Sequence, residues 1–211
     1  MMKIIAFSLW GENPKYTVGA IKNAEIAKVL FPEWTCRFYI GPDVPQYVVQ
    51  KLGQLDSECC LMNSSGWNGM FWRFFAADSH DTMISRDTDS RLGEREKAAV
   101  DEWLSGDKDF HIMRDHPYHA TEILGGMWGA RNGILKGIKD MIHDHNNGAY
   151  DDKYQVDQNF LRYMIYPVVK DKAMVHDEFF ENKPFPKNAP KRTNEYFVGQ
   201  VYNNLDEPEF K

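Results

Sequence analysis

Cysteine is scarce in this sequence of 211 residues, and its positions exclude two common roles. Cys36, Cys59 and Cys60 are an odd number, so they cannot all pair with one another, and adjacent residues of a strand point to opposite faces. No two of them have the Cys-x-x-Cys spacing typical of zinc and redox sites. We interpret them as small buried side chains in a protein of a reducing compartment, and we expect a cytoplasmic location.

Long apolar runs and dense basic clusters are also missing. No segment approaches the roughly 20 apolar residues that cross a bilayer, so we predict no membrane span. Residues 1–10 are apolar but end at Gly11 without the cleavage site of a signal peptide, and we interpret them as a first strand. The net charge of −6 and the absence of Lys/Arg runs longer than a pair argue against a nucleic-acid partner.

Strand-length apolar runs alternate with helical patterns in the first half of the chain. The sequence predicts strands at 3–9, 35–40, 58–62, 81–85 and 109–113, and helices at 16–30, 45–52, 69–78 and 94–104. Such alternation is typical of βαβ units, which build a mainly parallel sheet covered by helices on both faces. With 43% apolar residues available for a core, we predict one α/β domain over residues 1–211.

The second half of the chain is less regular. Helices are predicted near 133–142 and 156–166, a short strand near Val175, and a wrapping loop over 183–194, which is rich in Pro and Asn.

An acidic triplet, Asp87-Thr88-Asp89, follows the apolar residues 82–85. Ligands of parallel sheets gather beyond the carboxyl ends of the strands, which is where this triplet falls. Two carboxylates one residue apart can supply oxygen ligands to Mg²⁺ or Mn²⁺, and such an ion neutralises charge on a departing diphosphate. A solvated acidic turn is the alternative interpretation of the triplet alone.

The order of motifs around the triplet resembles that of GT-A fold glycosyltransferases. Among these, the arrangement is most similar to that of the retaining galactosyltransferases of family eight. The motifs are residues 71–75 with Arg73, residues 82–89, Gly125-Gly126, Asp157-Gln158, His176, and Lys183-Pro184-Phe185. The resemblance implies a Rossmann-like GT-A fold and transfer from a nucleotide sugar.

The same resemblance implies a role for each matching residue. Arg73 would contact the donor, Asp87, Asp89 and His176 would coordinate Mn²⁺, and Lys183 would lie on the diphosphate. The chain departs from the family pattern in its last motif: the interval from His176 to Lys183 is one residue longer, Phe185 replaces a Trp, and the family's Gly between them is absent.

Asp157 and Gln158 occupy the position where the retaining family places groups beside the anomeric carbon. This match favours retention, although the residues alone leave inversion open, with Glu122 as the alternative carboxylate. The chain also resembles small chlorella-virus glycosyltransferase domains, which share its opening Phe-Ser-Leu-Trp-Gly and its Arg-Asp-x-Asp-Ser-Arg segment. That resemblance would extend over nearly the whole chain and implies a viral setting in a host cytoplasm, with a UDP-sugar donor and a glycan or glycoprotein acceptor.

Further binding residues are expected where strands end or glycines allow close approach. Ser8, Leu9 and Trp10 end the first predicted strand and, with Tyr16, are candidates to cradle the nucleotide. Asp115 and His116 lie in a polar loop suited to sugar hydroxyls. Gly125 and Gly126 allow close backbone approach, and Trp128 offers an aromatic platform for a sugar or acceptor. Packing roles are the alternative for Trp10 and Tyr16.

These observations predict a Mn²⁺- or Mg²⁺-assisted glycosyltransferase that uses a UDP-sugar. Two alternatives stay open: a sugar-nucleotide or glycan-binding module without transfer activity, and a metal-dependent phosphotransferase that uses Asp-x-Asp at a strand end.

Overall fold

The computed structural model describes residues 1–147 and 155–209. Its strands are β1 (Lys3–Leu9), β2 (Thr35–Ile40), β3 (Glu58–Leu61), β4 (Thr82–Arg86), β5 (Phe110–Arg114), β6 (Trp128–Ala130) and β7 (Ala173–Asp177). Its α-helices are α1 (Pro14–Leu30), α2 (Gln46–Gln54), α3 (Glu94–Ser105), α4 (Ile138–Asn147), α5 (Val156–Phe160) and α6 (Tyr166–Val169). A 3₁₀ helix spans Trp67–Asp78, and a π-helical turn, Leu161–Ile165, joins α5 to α6. Within these residues, no helix is both long and apolar enough to cross a membrane.

All seven strands form one sheet in the order β3-β2-β1-β4-β6-β5-β7. Every neighbouring pair is parallel except the two that involve β6, which runs antiparallel to both β4 and β5. The predicted α/β class with a mainly parallel sheet is therefore confirmed. The sequence did not predict β6, because its three residues are too few to show a period of two.

Apolar residues of β1 alternate between two buried layers. Ile4 and Ala6 pack on the side of the 3₁₀ helix and α4, whereas Ile5, Phe7 and Leu9 pack on the side of α1 and α3. A strand covered on both faces is apolar throughout, which explains the continuous apolar run at the start of the sequence.

Several helix limits differ from those predicted, for local reasons. The predicted helix at 133–142 begins only at Ile138, because Gly133 and Gly137 adopt left-handed φ values of +71° and +91°. The predicted helix at 156–166 continues to Val169 but widens into the π-helical turn before Pro167, whose nitrogen has no hydrogen to donate.

The segment after β7 wraps back across the carboxyl edge of the sheet with little regular structure. Isolated bridges pair Asp177 with Lys183 and Ser90 with Val201. The Tyr202 N–H also donates to the Asp89 carbonyl at 2.8 Å, so the C-terminal segment lies directly beside the acidic triplet.

Candidate functional site

A buried arginine joins two carboxylates at the carboxyl edge of the sheet. Arg73, in the 3₁₀ helix, donates through Nη1 to Asp87 Oδ1 and through Nη2 to Asp157 Oδ2, the latter at 3.0 Å. Its backbone N–H donates to Ser8 Oγ at 3.0 Å, which fixes the helix against β1. The Arg73 and Asp157 side chains are buried, whereas 43% of the Asp87 side chain is exposed. Three distant segments thus meet, and Asp87 faces the solvent.

Gly125 and Gly126 border this cluster, since a side chain at either position would overlap it. A Cβ atom on Gly125 would lie 2.5 Å from Arg73 Nη2 and 2.6 Å from Asp157 Oδ2, and one on Gly126 would collide with Asp87 Oδ2. Ser85 Oγ donates to the Gly125 carbonyl at 2.7 Å and holds the loop in place. Backbone therefore approaches the carboxylates as closely as glycine permits.

Asp89, the second carboxylate of the triplet, carries an unfavourable charge. Burial, followed by the nearby charge of Asp87, raises the pKa of Asp89 to about 6. Lys15 Nζ lies 3.9 Å from Asp89 Oδ2 but only 2.6 Å from Glu209 Oε2, so its closer partner is the C-terminal segment. The triplet therefore holds more negative charge than its cations balance.

This charge imbalance fits a divalent cation held in part by the protein. Carboxylate oxygens are preferred ligands of Mg²⁺ and Mn²⁺, and a cation between Asp87 and Asp89 would relieve their repulsion. Within the described part of the chain, however, no three His, Cys, Asp or Glu side chains are grouped to hold a metal ion. The two aspartates thus fit an ion whose remaining ligands are phosphate oxygens and water, as is common for Mg²⁺.

Asp157 also has a raised pKa. Burial is the largest cause, the Arg73 charge opposes it, and Asp87 adds to it, with the result that the pKa of Asp157 lies at about 6. Asp157 Oδ1 also accepts the Gln158 backbone N–H at 2.9 Å. The carboxylate is therefore fixed in orientation at the start of α5, beside the Gly125 backbone.

The expected nucleotide residues divide into supporting and accessible groups. Ser8 and Leu9 are buried; the Ser8 hydroxyl accepts from Arg73, and the Leu9 carbonyl accepts from Gly41 N at 2.8 Å. Trp10 is half-buried with its ring edge-on to Trp72 at 6.2 Å, and 39% of Tyr16 is exposed. Trp10 and Tyr16 are thus the members of this group whose side chains reach the surface.

The structure does not bring His176 to the acidic triplet. Its Nε2 lies 2.7 Å from Glu102 Oε2 and its Nδ1 lies 2.8 Å from His111 Nε2, so both ring nitrogens have protein partners. His176 projects from β7 among side chains of α3 and β5. The register of β7 on β5 fixes this position, and the order of motifs along the sequence does not predict that register.

Lys183 likewise lies away from the carboxylates of Asp87 and Asp89. Its ammonium pairs with Glu181 at 2.6 Å, and its backbone N–H and carbonyl both bond Asp177. The hydrogen-bonded bridge to Asp177 therefore holds Lys183 at the end of β7.

Two expected sugar-binding residues are structural. Trp128 is fully buried, stacked on Phe110 with ring centroids 5.4 Å apart, so its prediction as a sugar platform is wrong. Asp115 is also fully buried: it accepts two hydrogen bonds from Arg95 at 2.8 and 2.9 Å and one from the Val198 N–H at 2.9 Å. Its carboxylate anchors the C-terminal segment and is not available to a sugar.

His116, in contrast, lines an open cavity of about 510 Å³ between the loop after β5 and the C-terminal segment. The cavity is also lined by His119, Arg192, Phe197, Val201 and Glu209, among others. Because Glu209 pairs with Lys15 and Val201 bridges Ser90, this cavity adjoins the acidic triplet.

Sequence reasoning missed Lys15 and the cavity residues of the C-terminal segment. Lys15 follows the Asn13 cap of α1, directly after β1, so it emerges at the same edge of the sheet as Asp87, and the sequence shows this position. Arg192 and Glu209 gave no comparable signal, because an irregular segment brings them to the site.

The sheet order, the helices on both faces and the acidic pair at the end of β4 define the class: the chain has the GT-A fold. It is similar to a solved glycosyltransferase involved in glycosylation of the major capsid of PBCV-1, with 17% sequence identity and a TM-score of 0.53 over 84% of this chain and 82% of that one.

Two further solved structures are more distant. Glucosyl-3-phosphoglycerate synthase from Mycobacterium tuberculosis gives a TM-score of 0.47 at 10% identity, covering 83% of this chain and 69% of its own. 4-Diphosphocytidyl-2C-methyl-D-erythritol synthase from Anaerococcus prevotii gives 0.47 at 12% identity, covering 89% and 93%. Neither a protein-family model nor a curated protein sequence matches the chain.

Proposed function

We propose that this chain is a glycosyltransferase that moves a sugar from a UDP-sugar to a glycan or glycoprotein acceptor with the help of Mn²⁺ or Mg²⁺. The observation that carries the proposal is the bridge made by Arg73 between Asp87 of the acidic triplet and Asp157, against the backbone of Gly125 and Gly126. A solvated acidic turn does not require a buried guanidinium to hold its carboxylate. Nor does it require glycine at the two adjoining positions, 125 and 126, where any side chain would overlap the cluster.

Each residue of the cluster has a distinct task in this proposal. Asp87 and Asp89 would hold the cation, which when bound would neutralise charge on the departing diphosphate. Arg73 orients Asp87 and Asp157 at once, because a planar guanidinium fixes the direction of both ion pairs. Lys15 lies near Asp89 and is placed to bind a phosphate oxygen once its ammonium leaves Glu209.

We further propose that the sugar is transferred with retention. Inversion requires a carboxylate base that is free to take a proton from the acceptor. Asp157 is buried against Arg73, and the alternative, Glu122, pairs with Arg162 at 3.1 Å, so both carboxylates are already engaged. A buried Asp157 carboxylate beside the sugar is better suited to stabilising positive charge at the anomeric carbon.

A screen of donors tests the proposal directly. UDP-, GDP- and dTDP-sugars are incubated with the protein and Mn²⁺, release of the nucleotide by transfer of the sugar to water is measured, and the anomeric configuration of the newly released sugar is read by proton NMR before it mutarotates. We expect release of UDP from a UDP-sugar, with a retained anomeric configuration in the product. Asp87→Asn should abolish the release of UDP, whereas Asp101→Asn, on the exposed side of α3, should leave it unchanged.

The outcomes separate the alternatives. Mn²⁺-dependent UDP binding without release or transfer from any donor would favour a binding module. Absence of Mn²⁺-dependent binding for all three nucleotides would refute the nucleotide-sugar site altogether. An inverted product would leave the transferase assignment in place and remove the proposed role of Asp157.

A further inference from the structure

The cavity beside the acidic triplet presents a fixed positive charge. Arg192 Nε donates to the Asp115 carbonyl at 2.8 Å, and its guanidinium lies over the rings of Phe179 and Phe197, at 4.9 and 5.7 Å from their centroids. Among the residues that the structure describes, its two terminal nitrogens have no hydrogen-bond partner. The guanidinium is thus immobilised by its stem and one nitrogen, with its remaining donors free to serve a ligand.

Two histidines add neutral donors to the same cavity. His116 Nδ1 accepts the Tyr118 backbone N–H at 3.2 Å, and His119 Nδ1 accepts the Asp115 backbone N–H at 3.1 Å. A backbone N–H can only donate, so each Nδ1 carries no hydrogen and each neutral ring bears it on Nε2. Both rings therefore offer an Nε2–H donor.

Environment keeps these rings neutral. Burial, followed by the charge of Arg192, lowers the pKa of His116. Burial, followed by His116 and Arg192, lowers the pKa of His119 to about 3. The His116 ring is further held by stacking on Phe197, with centroids 4.5 Å apart.

The only carboxylate among the described residues that line the cavity is Glu209, and it is paired with Lys15. The cavity is also lined by Arg192, His116 and His119, which supply the guanidinium and the two imidazole donors. This arrangement suits a small group that carries negative charge and several acceptor oxygens, because such a group can receive hydrogen bonds from all three side chains.

We propose that this cavity binds an anionic group, a carboxylate or a phosphate, on the acceptor of the transfer reaction, with Arg192 as its ion-pair partner. The position of the cavity supports an acceptor subsite: Val201, in its wall, bridges Ser90, and Tyr202 bonds the Asp89 backbone. The role of this anion as part of an acceptor rests on the proposed function. The binding of an anion to the cavity does not depend on it.

Three monosaccharides that differ at one carbon test the inference. Methyl glucoside, methyl glucuronide and methyl glucoside 6-phosphate carry a hydroxyl, a carboxylate and a phosphate at C6 of the same methyl glycoside. Their binding to the whole chain is measured by titration calorimetry, with and without UDP and Mn²⁺. We expect at least one anionic sugar to bind tenfold or more tightly than methyl glucoside, and the tighter of the two identifies the anion.

Matched variants locate the binding. Arg192→Gln should reduce anionic-sugar affinity to that of methyl glucoside, whereas Lys191→Gln, an equal loss of charge one residue away, should leave it unchanged. His116→Phe keeps the stack on Phe197 and removes one donor, so it should weaken binding several-fold. Circular dichroism and thermal melting confirm that each variant is folded.

Equal affinity for the three sugars, or anion binding that survives Arg192→Gln in a folded protein, would overturn the inference. UDP binding serves as the separate readout of the proposed function: all three variants should bind UDP and Mn²⁺ as the original chain does. Failure of the original chain to bind UDP would refute the proposed transferase. Anion binding in the cavity would still be tested by the affinities measured for the three sugars.

Discussion

Replacing Asp89 by Asn is expected to make the metal-free protein more stable. Because folding raises the pKa of Asp89 from an ordinary 3.8 to about 6, the ionised carboxylate opposes folding at neutral pH. At about 1.4 kcal/mol for each pKa unit, this difference corresponds to an upper limit of about 3 kcal/mol at pH 8. Asn keeps the shape of the side chain and removes the charge.

The gain in stability depends on pH in a defined direction. Above pH 6 the carboxylate is ionised in both states and the full cost applies; as pH falls through 6 the folded state takes up a proton first. The cost shrinks to about 1 kcal/mol at pH 4.5 and disappears below about pH 3.8, where both states are protonated. The advantage of Asp89→Asn should therefore be largest at pH 8.

Thermal melting in the presence of a chelator measures this effect. For a chain of this size, 1 kcal/mol raises Tm by about 2–4 °C, so we expect Asp89→Asn to melt several degrees higher than the original chain at pH 8. Asp87→Asn is the matched control: it removes a partner of buried Arg73 and should lower stability by about 1–3 kcal/mol. An Asp89→Asn protein that melts no higher at pH 8, or whose advantage does not change with pH, would refute the reasoning.

Three other outcomes are expected. Gly126→Ala should abolish Mn²⁺-dependent UDP binding in calorimetry, because its Cβ collides with Asp87, whereas Gly53→Ala, which meets no atom within 4 Å, should bind normally; normal binding in both would dissociate Gly126 from the site. Asp115→Asn should lower the free energy of unfolding, measured with urea, by about 3 kcal/mol, since it leaves Arg95 in a broken buried ion pair; a change below 1 kcal/mol would show that the pair does not anchor the C-terminal segment. Mn²⁺ should raise Tm more at pH 8 than at pH 5.5, since protons compete with the metal for Asp89, and a pH-independent rise would place the ion elsewhere.

Local signals in the sequence were sufficient for much of the sheet edge that carries the site. Apolar runs bounded by Gly, Asn and Asp gave β1, β2 and β4 to within one residue, and parallel pairing then places their ends together. The prediction that Asp87, Arg73 and Asp157 belong to one site came from motif order, and the structure brings their side chains into contact. Order along the chain carries this information because each motif follows a defined element.

Side-chain direction was less accessible. His176 and Trp128 both fall in or beside expected motifs, but each lies on a strand whose register decides which face its side chain takes. A shift of one residue in register reverses that face, and a single sequence does not specify it for strands of three to five residues. The same limit applies to Asp115, which became a buried anchor because Arg95 on α3 reaches it.

The sequence by itself therefore determined the α/β class, the strands that end at the site, and the acidic triplet Asp87-Thr88-Asp89, since these follow from periodicity and turn chemistry within short segments. Tertiary structure decided which groups surround the triplet. Lys15, Glu209 and the cavity around Arg192 come together through long-range packing of an irregular C-terminal segment, whose path depends on buried ion pairs far apart in the chain.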